Sequence, residues 1–130
     1  MIRPATEADI PRIVDMVARL VAAVDGPQKL CRIRTGQTLA GLITSPDGFL
    51  AVSDHGFIAA TITQTVISPD PCAVELGWWA ERDGLSLLKA FEEWADRKGA
   101  TLKKMSCKGG TAQRILERAG YRAAETAMVK

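Results

Sequence analysis

The sequence predicts an α/β fold, a mixed and mostly antiparallel sheet flanked by helices. Segments with apolar residues at three- and four-residue spacing alternate with short runs of β-branched and aromatic residues, in the order β-α-α-β-β-β-α-β-α-β. The chain has 130 residues, of which 47% are hydrophobic and 25% charged. This length and composition exclude a disordered or coiled-coil protein and predict a single domain over residues 1–130.

The first half of the chain predicts two helices and three strands. Thr6 and Asp9 have the spacing of a capping box, and the apolar residues after them recur on one helical face. A turn is predicted at Asp54-His55-Gly56, between two apolar runs. The predicted elements are a strand at Ile2-Arg3, a helix from Ile10 to Val24, a loop at 28–35, a short helix from Thr38 to Thr44, and strands at Phe49–Ser53 and Phe57–Ile67.

The second half predicts three strands and two helices. Ser68-Pro69-Asp70-Pro71 is expected to end the preceding strand, because proline and its neighbours break regular structure. The spacing of Leu87, Leu88, Phe91 and Trp94 predicts an amphipathic helix. The predicted elements are strands at Cys72–Ala80, Leu102–Cys107 and Tyr121–Val129, and helices at 84–98 and around Ala112–Ala119.

Charge is unevenly distributed along the chain. The net charge is +2, but residues 1–96 hold 8 basic and 13 acidic residues, whereas residues 97–130 hold 9 basic and 2 acidic residues. A basic last quarter suits an anionic ligand such as a phosphorylated cofactor, and it is equally what solvated faces of helices and strands contain. A nucleic-acid partner is disfavoured because aromatic residues are not interleaved with this charge.

The cysteines and the histidine predict neither a metal site nor a nucleophilic triad. Cys31, Cys72 and Cys107 form no Cys-x-x-Cys pair, so we expect free thiols in a reducing cytoplasm. His55, the single histidine, lies in a predicted turn and is expected to be solvated. The apolar runs are too short to cross a membrane, and no signal peptide is expected at the start of the sequence.

Three segments resemble the GCN5-related N-acetyltransferase (GNAT) family. They are Met1–Ile10, Glu75-Leu76-Gly77-Trp78-Trp79 with the helix that follows, and Ile115–Arg122. The order of elements matches as well, so the resemblance covers essentially the whole chain. It implies the acyl-CoA N-acyltransferase fold and transfer of an acetyl group from acetyl-CoA to an amine on a small molecule or a protein, without a metal.

The resemblance also implies where acetyl-CoA binds. The strand 72–80 is expected to diverge from its neighbour and to offer backbone groups of Leu76, Gly77, Trp78 and Trp79 to the pantetheine arm. The start of the next helix, at Gly84, Leu85 and Ser86, is expected to face the pyrophosphate, since helix N-termini favour anions. Trp78 and Trp79 are also well suited to be core and cleft walls.

Two departures from the family pattern concern the cofactor loop and the general acid. The loop after Trp79 is several residues shorter than the family's and retains one glycine, Gly84, which a simple turn would also explain. Glu81 and Asp83 add negative charge there. The Asn and Tyr that many relatives carry near and within the last helix are replaced by Gly109 and Leu116.

The remaining candidates for proton transfer are few. Cys107 or a water could replace the missing general acid, whereas Tyr121 is expected to serve packing. Glu75 is the candidate catalytic residue, as a base or a contact to the substrate amine, and a structural ion pair is the alternative. Strand alternation predicts Glu75 on the same face as Ala73, Gly77 and Trp79, opposite Val74, Leu76 and Trp78.

A second interpretation is a catalytically degenerate member of the family with a binding or structural role. The compact form resembles acetyltransferase-like proteins of phage and prophage genomes, which would place it in the host cytoplasm or the virion. Relatives often dimerise, so a homodimer is one option for the oligomeric state. The acceptor amine stays open, although residues 25–36 and the final strand are expected to shape its pocket.

Overall fold

Helices and a five-stranded sheet make up the computed structural model, which describes residues 1–130. The elements are β1 (Arg3–Pro4), a 3-10 turn (Glu7–Asp9), α1 (Ile10–Ala23), α2 (Arg32–Thr44), β2 (Gly48–Ser53), β3 (Gly56–Thr65), β4 (Ser68–Ala80), α3 (Gly84–Arg97), β5 (Leu102–Lys104) and α4 (Gly110–Arg118). The sheet order is β1-β2-β3-β4-β5, antiparallel except for the parallel pair β4–β5. The predicted mixed, mostly antiparallel α/β fold is confirmed.

Two hydrophobic clusters cover the two faces of this sheet. On one face, α1 and α2 pack against β2 and β3 through buried residues that include Ile13, Leu39 and Phe57. On the other, α3 and α4 pack against the sheet through Leu88, Phe91 and others. Each helix buries one apolar stripe, as its spacing predicts. The sheet is therefore a scaffold with one helical pair on each side.

The start of α1 is held by the predicted capping arrangement. The Asp9 carboxylate accepts a hydrogen bond from the backbone N–H of Thr6 at 2.8 Å and two from the Arg3 guanidinium at 2.7 and 2.8 Å. These bonds hold the pKa of Asp9 well below its usual range. β1 is thereby tied to the first turn of α1, so the N-terminus is fixed against the sheet.

Helix α2 is longer than the sequence predicts. The segment 28–35 is not all loop, because α2 begins at Arg32 and continues without a break to Thr44. Cys31 caps it, with its sulfur accepting a hydrogen bond from the N–H of Arg34 at 3.4 Å. The apolar stripe of this helix is short, with Leu39 and Leu42 as its buried residues. Periodicity therefore gives little signal for the first turns.

The hairpin between β3 and β4 extends further than predicted. Ser68-Pro69-Asp70-Pro71 does not end a strand but begins β4, and the turn lies at Val66–Ile67. On its β5 side, β4 has no strand partner before Cys72; there the carbonyl of Pro71 accepts a hydrogen bond from the N–H of Thr101 at 2.9 Å, a bond that needs no N–H from the proline. The ladder is irregular between Thr63 and Thr65, which accommodates the extra residues.

One extra residue in β4 changes which side chains share a face. Ala59 is paired with Gly77 and Ala60 with Glu75, so Leu76 has no partner in β3 and forms a β-bulge. Opposed residues of an antiparallel pair point to the same face, and Ala60 belongs to the α3 side. Glu75 therefore lies on the α3 face. The predicted sharing of a face by Glu75, Gly77 and Trp79 is wrong, because strict alternation fails at a bulge.

The predicted strand Tyr121–Val129 is absent, and β5 is shorter than predicted. β5 ends at Lys104 rather than Cys107, and no regular structure follows α4. Residues 122–130 are exposed and form no backbone hydrogen bonds. A surface ion pair between Lys104 and Glu125, at 2.9 Å, is their contact with β5. The segment has three alanines and no buried side chain, so little apolar area is available to hold it against the sheet.

Tyr121 marks the end of the packed part of the chain. It is half-buried against the α3–α4 cluster, and its hydroxyl donates to the Glu92 carboxylate at 2.9 Å. Burial and this bond raise the pKa of Tyr121 above its usual range. This agrees with the expected packing role.

Removal of residues 123–130 is expected to change the free energy of unfolding by less than about 0.5 kcal/mol, because the segment buries nothing. The matched change Tyr121→Phe, which removes one partly buried hydrogen bond, is expected to cost about 1 kcal/mol or more. Urea unfolding of both variants measures the two effects. A large loss on truncation would show that the tail is a paired strand after all.

Candidate functional site

Strands β4 and β5 diverge at the centre of the molecule. They pair at Cys72–Leu102, Ala73–Lys103 and Val74–Lys104 and no further. From Glu75 to Ala80, β4 therefore has no backbone partner on its β5 side, and the chain after β5 has no regular structure until α4. The result is an opening beside the backbone of Leu76–Trp79, as the resemblance implies.

An apolar cleft of about 170 Å³ lies on the other face of the same stretch of β4. Its apolar wall comes from α1, α2, β3 and β4 and includes Val17, Leu20, Leu39, Phe57 and Leu76. Gly77 lies at the bottom, where a Cβ atom would be 3.1 Å from the Phe57 ring. The bulge thus places Leu76 and Gly77 between an opening on one side and a cleft on the other.

Glu75 lies at the mouth of the opening between β4 and β5. One of its carboxylate oxygens accepts a hydrogen bond from the backbone N–H of Ser106 at 3.0 Å, and no lysine or arginine pairs with it. The structural ion pair considered for Glu75 is therefore not formed. Burial raises the pKa of Glu75 to about 7, although the Ser106 bond acts in the opposite direction. A carboxylate in this state can take up and release a proton near neutral pH.

The two tryptophans after the bulge point to opposite faces. Trp78 packs against the α3–α4 cluster, and its indole N–H donates to the carbonyl of Gly84 at 3.1 Å. Trp79 packs against the α1–α2 cluster, with the Arg19 guanidinium 5.5 Å from its ring centroid. The two side chains thus pack within the protein, and the groups of Trp78 and Trp79 that remain available to a ligand are in the backbone.

The loop between β4 and α3 has three residues, Glu81, Arg82 and Asp83. Asp83 adopts a left-handed conformation with φ of 68° and makes no side-chain cap. The backbone N–H groups of Gly84, Leu85 and Ser86 have no partner in the protein; the first helical bond runs from Leu87 to Asp83. Gly84 has a negative φ, and a Cβ there would make ordinary contacts of 3.8 and 3.9 Å with Trp78 and Ala80, so the position does not require glycine.

Charge near this helix start is partly balanced. Glu81 forms an exposed ion pair with Arg19 at 3.0 Å, which leaves Asp83 and Arg82 as the nearest unpaired charges of the loop. The donors available to an anion are therefore backbone N–H groups and the helix dipole rather than a cluster of arginines. An acetyl-CoA pyrophosphate fits this donor set, with fewer contacts than a longer glycine-rich loop provides.

Helix α2 contributes polar residues to the cleft that the sequence did not single out. Arg34, Thr35 and Thr38 line its rim. Arg34 and Thr35 fall in the segment expected to shape an acceptor pocket, but as part of a helix. The final strand, also expected there, contributes nothing to the cleft. The sequence contains one signal for this role. No acidic residue lies three or four positions from Arg34, so Arg34 has no ion-pair partner within the helix once α2 is known to be helical.

The other residues considered from the sequence do not line the cleft. His55 is in the β2–β3 turn, where its backbone N–H donates to the Ser53 hydroxyl. Leu116 is buried in the α3–α4 cluster, and Gly109 precedes α4 with a φ of 90°. Cys107 is exposed, one residue after Ser106. None of the helices is both long and apolar enough to cross a membrane.

The mixed, mostly antiparallel sheet, the divergence of β4 and β5 and the helical pair on each face are those of the acyl-CoA N-acyltransferase fold of GCN5-related N-acetyltransferases. Solved structures agree over the full chain. A transcriptional regulator from Bacillus halodurans C-125 has a TM-score of 0.81 at 19% identity, with 100% of this chain and 97% of that chain covered.

Two further similar structures are aminoglycoside acetyltransferases. One was solved in complex with CoA and has a TM-score of 0.74 at 15% identity, with 100% and 92% of the two chains covered. The other, an aminoglycoside 6′-N-acetyltransferase from Acinetobacter haemolyticus, has a TM-score of 0.74 at 16% identity, with 100% and 96% covered. No protein-family model matches the sequence, and no curated relative was found. At these identities the likeness establishes the fold.

The raised pKa of Glu75 has a consequence for stability. Its folded value of about 7 exceeds the ordinary value of 4.5, so between these two values the native state binds more protons than the unfolded state. The free energy of unfolding should therefore fall as pH rises through that window. Glu75→Gln should remove this fall, and urea unfolding between about pH 5 and pH 8 measures it. Glu93→Gln, at an exposed site on α3, should follow the wild type; parallel profiles for all three proteins would contradict the assignment.

Proposed function

We propose that this chain is an N-acetyltransferase-like protein that transfers an acetyl group from acetyl-CoA to an amine. The observation that carries the proposal is the bulge of β4, where Leu76 and Gly77 separate an open strand edge from an apolar cleft. Two reactants can approach the same backbone from its two sides in this arrangement. Positioning of this kind is the larger part of what acyl transfer to an amine requires.

Acetyl-CoA would be held mainly by backbone groups. The free edge of Leu76, Gly77, Trp78 and Trp79 suits the amides of the pantetheine arm, and the unpaired N–H groups of Gly84–Ser86 suit the pyrophosphate. When bound, acetyl-CoA supplies a thioester whose C–S bond is exchanged for a C–N bond to the amine, while one amine proton passes in net terms to the sulfur.

The side chains of the protein then have two tasks, excluding water and moving a proton. The cleft wall removes water from the amine, which favours its neutral, nucleophilic form. Glu75 lies on the α3 side of β4, whereas the cleft lies on the α1–α2 side. We therefore assign Glu75 the role of a general base that takes the amine proton through a water molecule rather than by direct contact.

The anion site at the start of α3 can be tested with Ser86→Glu. A carboxylate in the first helical turn stabilises the helix by interaction with its dipole, so the variant should fold at least as well as the wild type. It should nevertheless repel a pyrophosphate, and we expect the affinity for acetyl-CoA to fall by about tenfold. Calorimetric titration measures the affinity, and thermal unfolding with the cofactor gives an independent readout.

The matched control for that experiment is Gln37→Glu. It adds the same charge at an exposed position of α2, on the other face of the sheet, and should leave acetyl-CoA affinity unchanged. Equal affinities of Ser86→Glu and the wild type would place the cofactor elsewhere. No binding by the wild type at millimolar acetyl-CoA would refute the proposed function.

The role of Glu75 can be tested by the pH dependence of turnover. With a base of pKa about 7, kcat/KM should rise with pH up to that value and then level off. Glu75→Gln should lose this rise and about 10²-fold in kcat while still binding acetyl-CoA. The ratio of the two proteins' rates at each pH cancels the titration of the acceptor amine. An unchanged ratio from pH 6 to pH 9 would exclude the role.

The short loop and the missing hydroxyl favour a second candidate, a catalytically degenerate protein with a binding or phage structural role. Three residues connect β4 to α3, and Leu116, where relatives carry a tyrosine, is buried in the core. Binding of acetyl-CoA without turnover on any amine would support this candidate. The phage affiliation and the homodimer stay predictions. The three free cysteines support a reducing compartment such as the cytoplasm.

A further inference from the structure

The cleft beside Leu76 and Gly77 carries one charged side chain. Seven of its eleven lining residues are hydrophobic, and the others are Gly77, Thr35, Thr38 and Arg34. No carboxylate lines it. A ligand that fills this cleft therefore meets an apolar wall and a single positive charge at the rim.

The Arg34 guanidinium is free to bind a ligand. It takes part in none of the ion pairs and makes no side-chain hydrogen bond, and it is exposed on the first turn of α2. Arg32, two residues earlier on the same turn, is instead paired with Asp15 of α1. The two arginines thus differ in their contacts: Arg32 ties α2 to α1, whereas Arg34 lines the cleft and has no partner.

The two threonines of the rim complement Arg34. The Thr35 hydroxyl donates to the carbonyl of Cys31 at 2.8 Å, and the Thr38 hydroxyl donates to the carbonyl of Arg34 at 3.0 Å. Both threonines line the cleft, and with their protons used in this way their hydroxyl oxygens can still accept hydrogen bonds. The rim therefore offers acceptors for the N–H groups of an amine beside a donor for an anion.

We propose that the acceptor is a small primary amine that carries a carboxylate and an apolar body, such as an apolar amino acid, with its carboxylate bound by Arg34. The identification of the ligand as an acceptor rests on the proposed function. Arginine and a carboxylate form paired, parallel hydrogen bonds, which orient as well as attract. The amine is thereby directed toward the threonine oxygens and the bulge.

Size and charge separate this acceptor from the substrates of the aminoglycoside acetyltransferases that share the fold. A cavity of about 150 Å³ accommodates benzene, so a cleft of about 170 Å³ suits a body of a few carbon atoms rather than a sugar chain. A polycationic ligand would find no carboxylate here and would be repelled by Arg34.

Binding of matched probes tests the proposal without turnover. The probes are L-leucine, L-leucinamide and 3-methylbutylamine, which keep the apolar body and change the group beside the amine. NMR titration of the isotope-labelled protein should show leucine binding about three- to fivefold more tightly than leucinamide, the range expected of an exposed ion pair. Arg34→Met should abolish this preference. Arg32→Met, the matched control, should retain it.

The outcomes separate this inference from the proposed function. If leucine is bound with the stated preference but the protein binds no acetyl-CoA, the carboxylate site stands and the proposed function fails. If acetyl-CoA is bound and leucine is bound but not acetylated, the identification of the acceptor is overturned. If leucinamide or the aminoglycoside kanamycin is bound and acetylated as well as leucine, the function stands and the inference is overturned. A preference that survives Arg34→Met overturns it too, because the carboxylate would then be bound by another group.

Discussion

One unpaired residue, Leu76, organises the site. A regular β4 would turn Glu75, Gly77 and Trp79 to the same face of the sheet. The bulge reverses the alternation, so that Gly77 and Trp79 face α1 while Glu75 faces α3. It also lies where β4 loses its β5 partner. The strand thus presents an open edge to one side and an apolar cleft to the other, and the chemistry proposed for the chain depends on both.

The divergence of β4 and β5 is maintained by a side chain rather than by a strand. Ser106 would continue β5, but its N–H donates to the Glu75 carboxylate instead of to a β4 carbonyl. The bond stabilises the charged form of a buried carboxylate whose pKa is nevertheless raised by desolvation. The group proposed to move a proton is therefore the same group that holds the opening. Its protonation and the local structure of residues 105–108 are coupled.

The sequence predicts most of the fold because most elements bury an apolar stripe of clear period. α1, α3 and the hairpin at His55 follow from spacing and turn residues alone. The failures occur where tertiary context decides. The prolines at the start of β4 are tolerated because no ladder on the β5 side requires their N–H groups, and the carbonyl of Pro71 still accepts a bond from Thr101. The tail beyond Tyr121 has strand-like residues without a surface to bury them. The face of Glu75 could not be predicted, because a bulge leaves no mark in residue spacing.

The basic last quarter of the chain lies on the β5 and α4 side of the opening. Lys103 and Lys104 are paired with Asp96 and Glu125, whereas Lys108, Arg114 and the other basic residues of this region have no acidic partner. The sequence left two interpretations of this basic region, solvated surfaces and a site for an anionic ligand. Some of its residues are in surface ion pairs, and the rest are unpaired. The loop between β4 and α3 has one positive side chain, Arg82, so the phosphorylated ligand proposed for the opening would be attracted mainly by the basic residues near β5 and α4, whose summed field acts over about a Debye length without direct contacts. A short loop is then compatible with an anion site, because the attraction and the hydrogen bonds come from different parts of the chain.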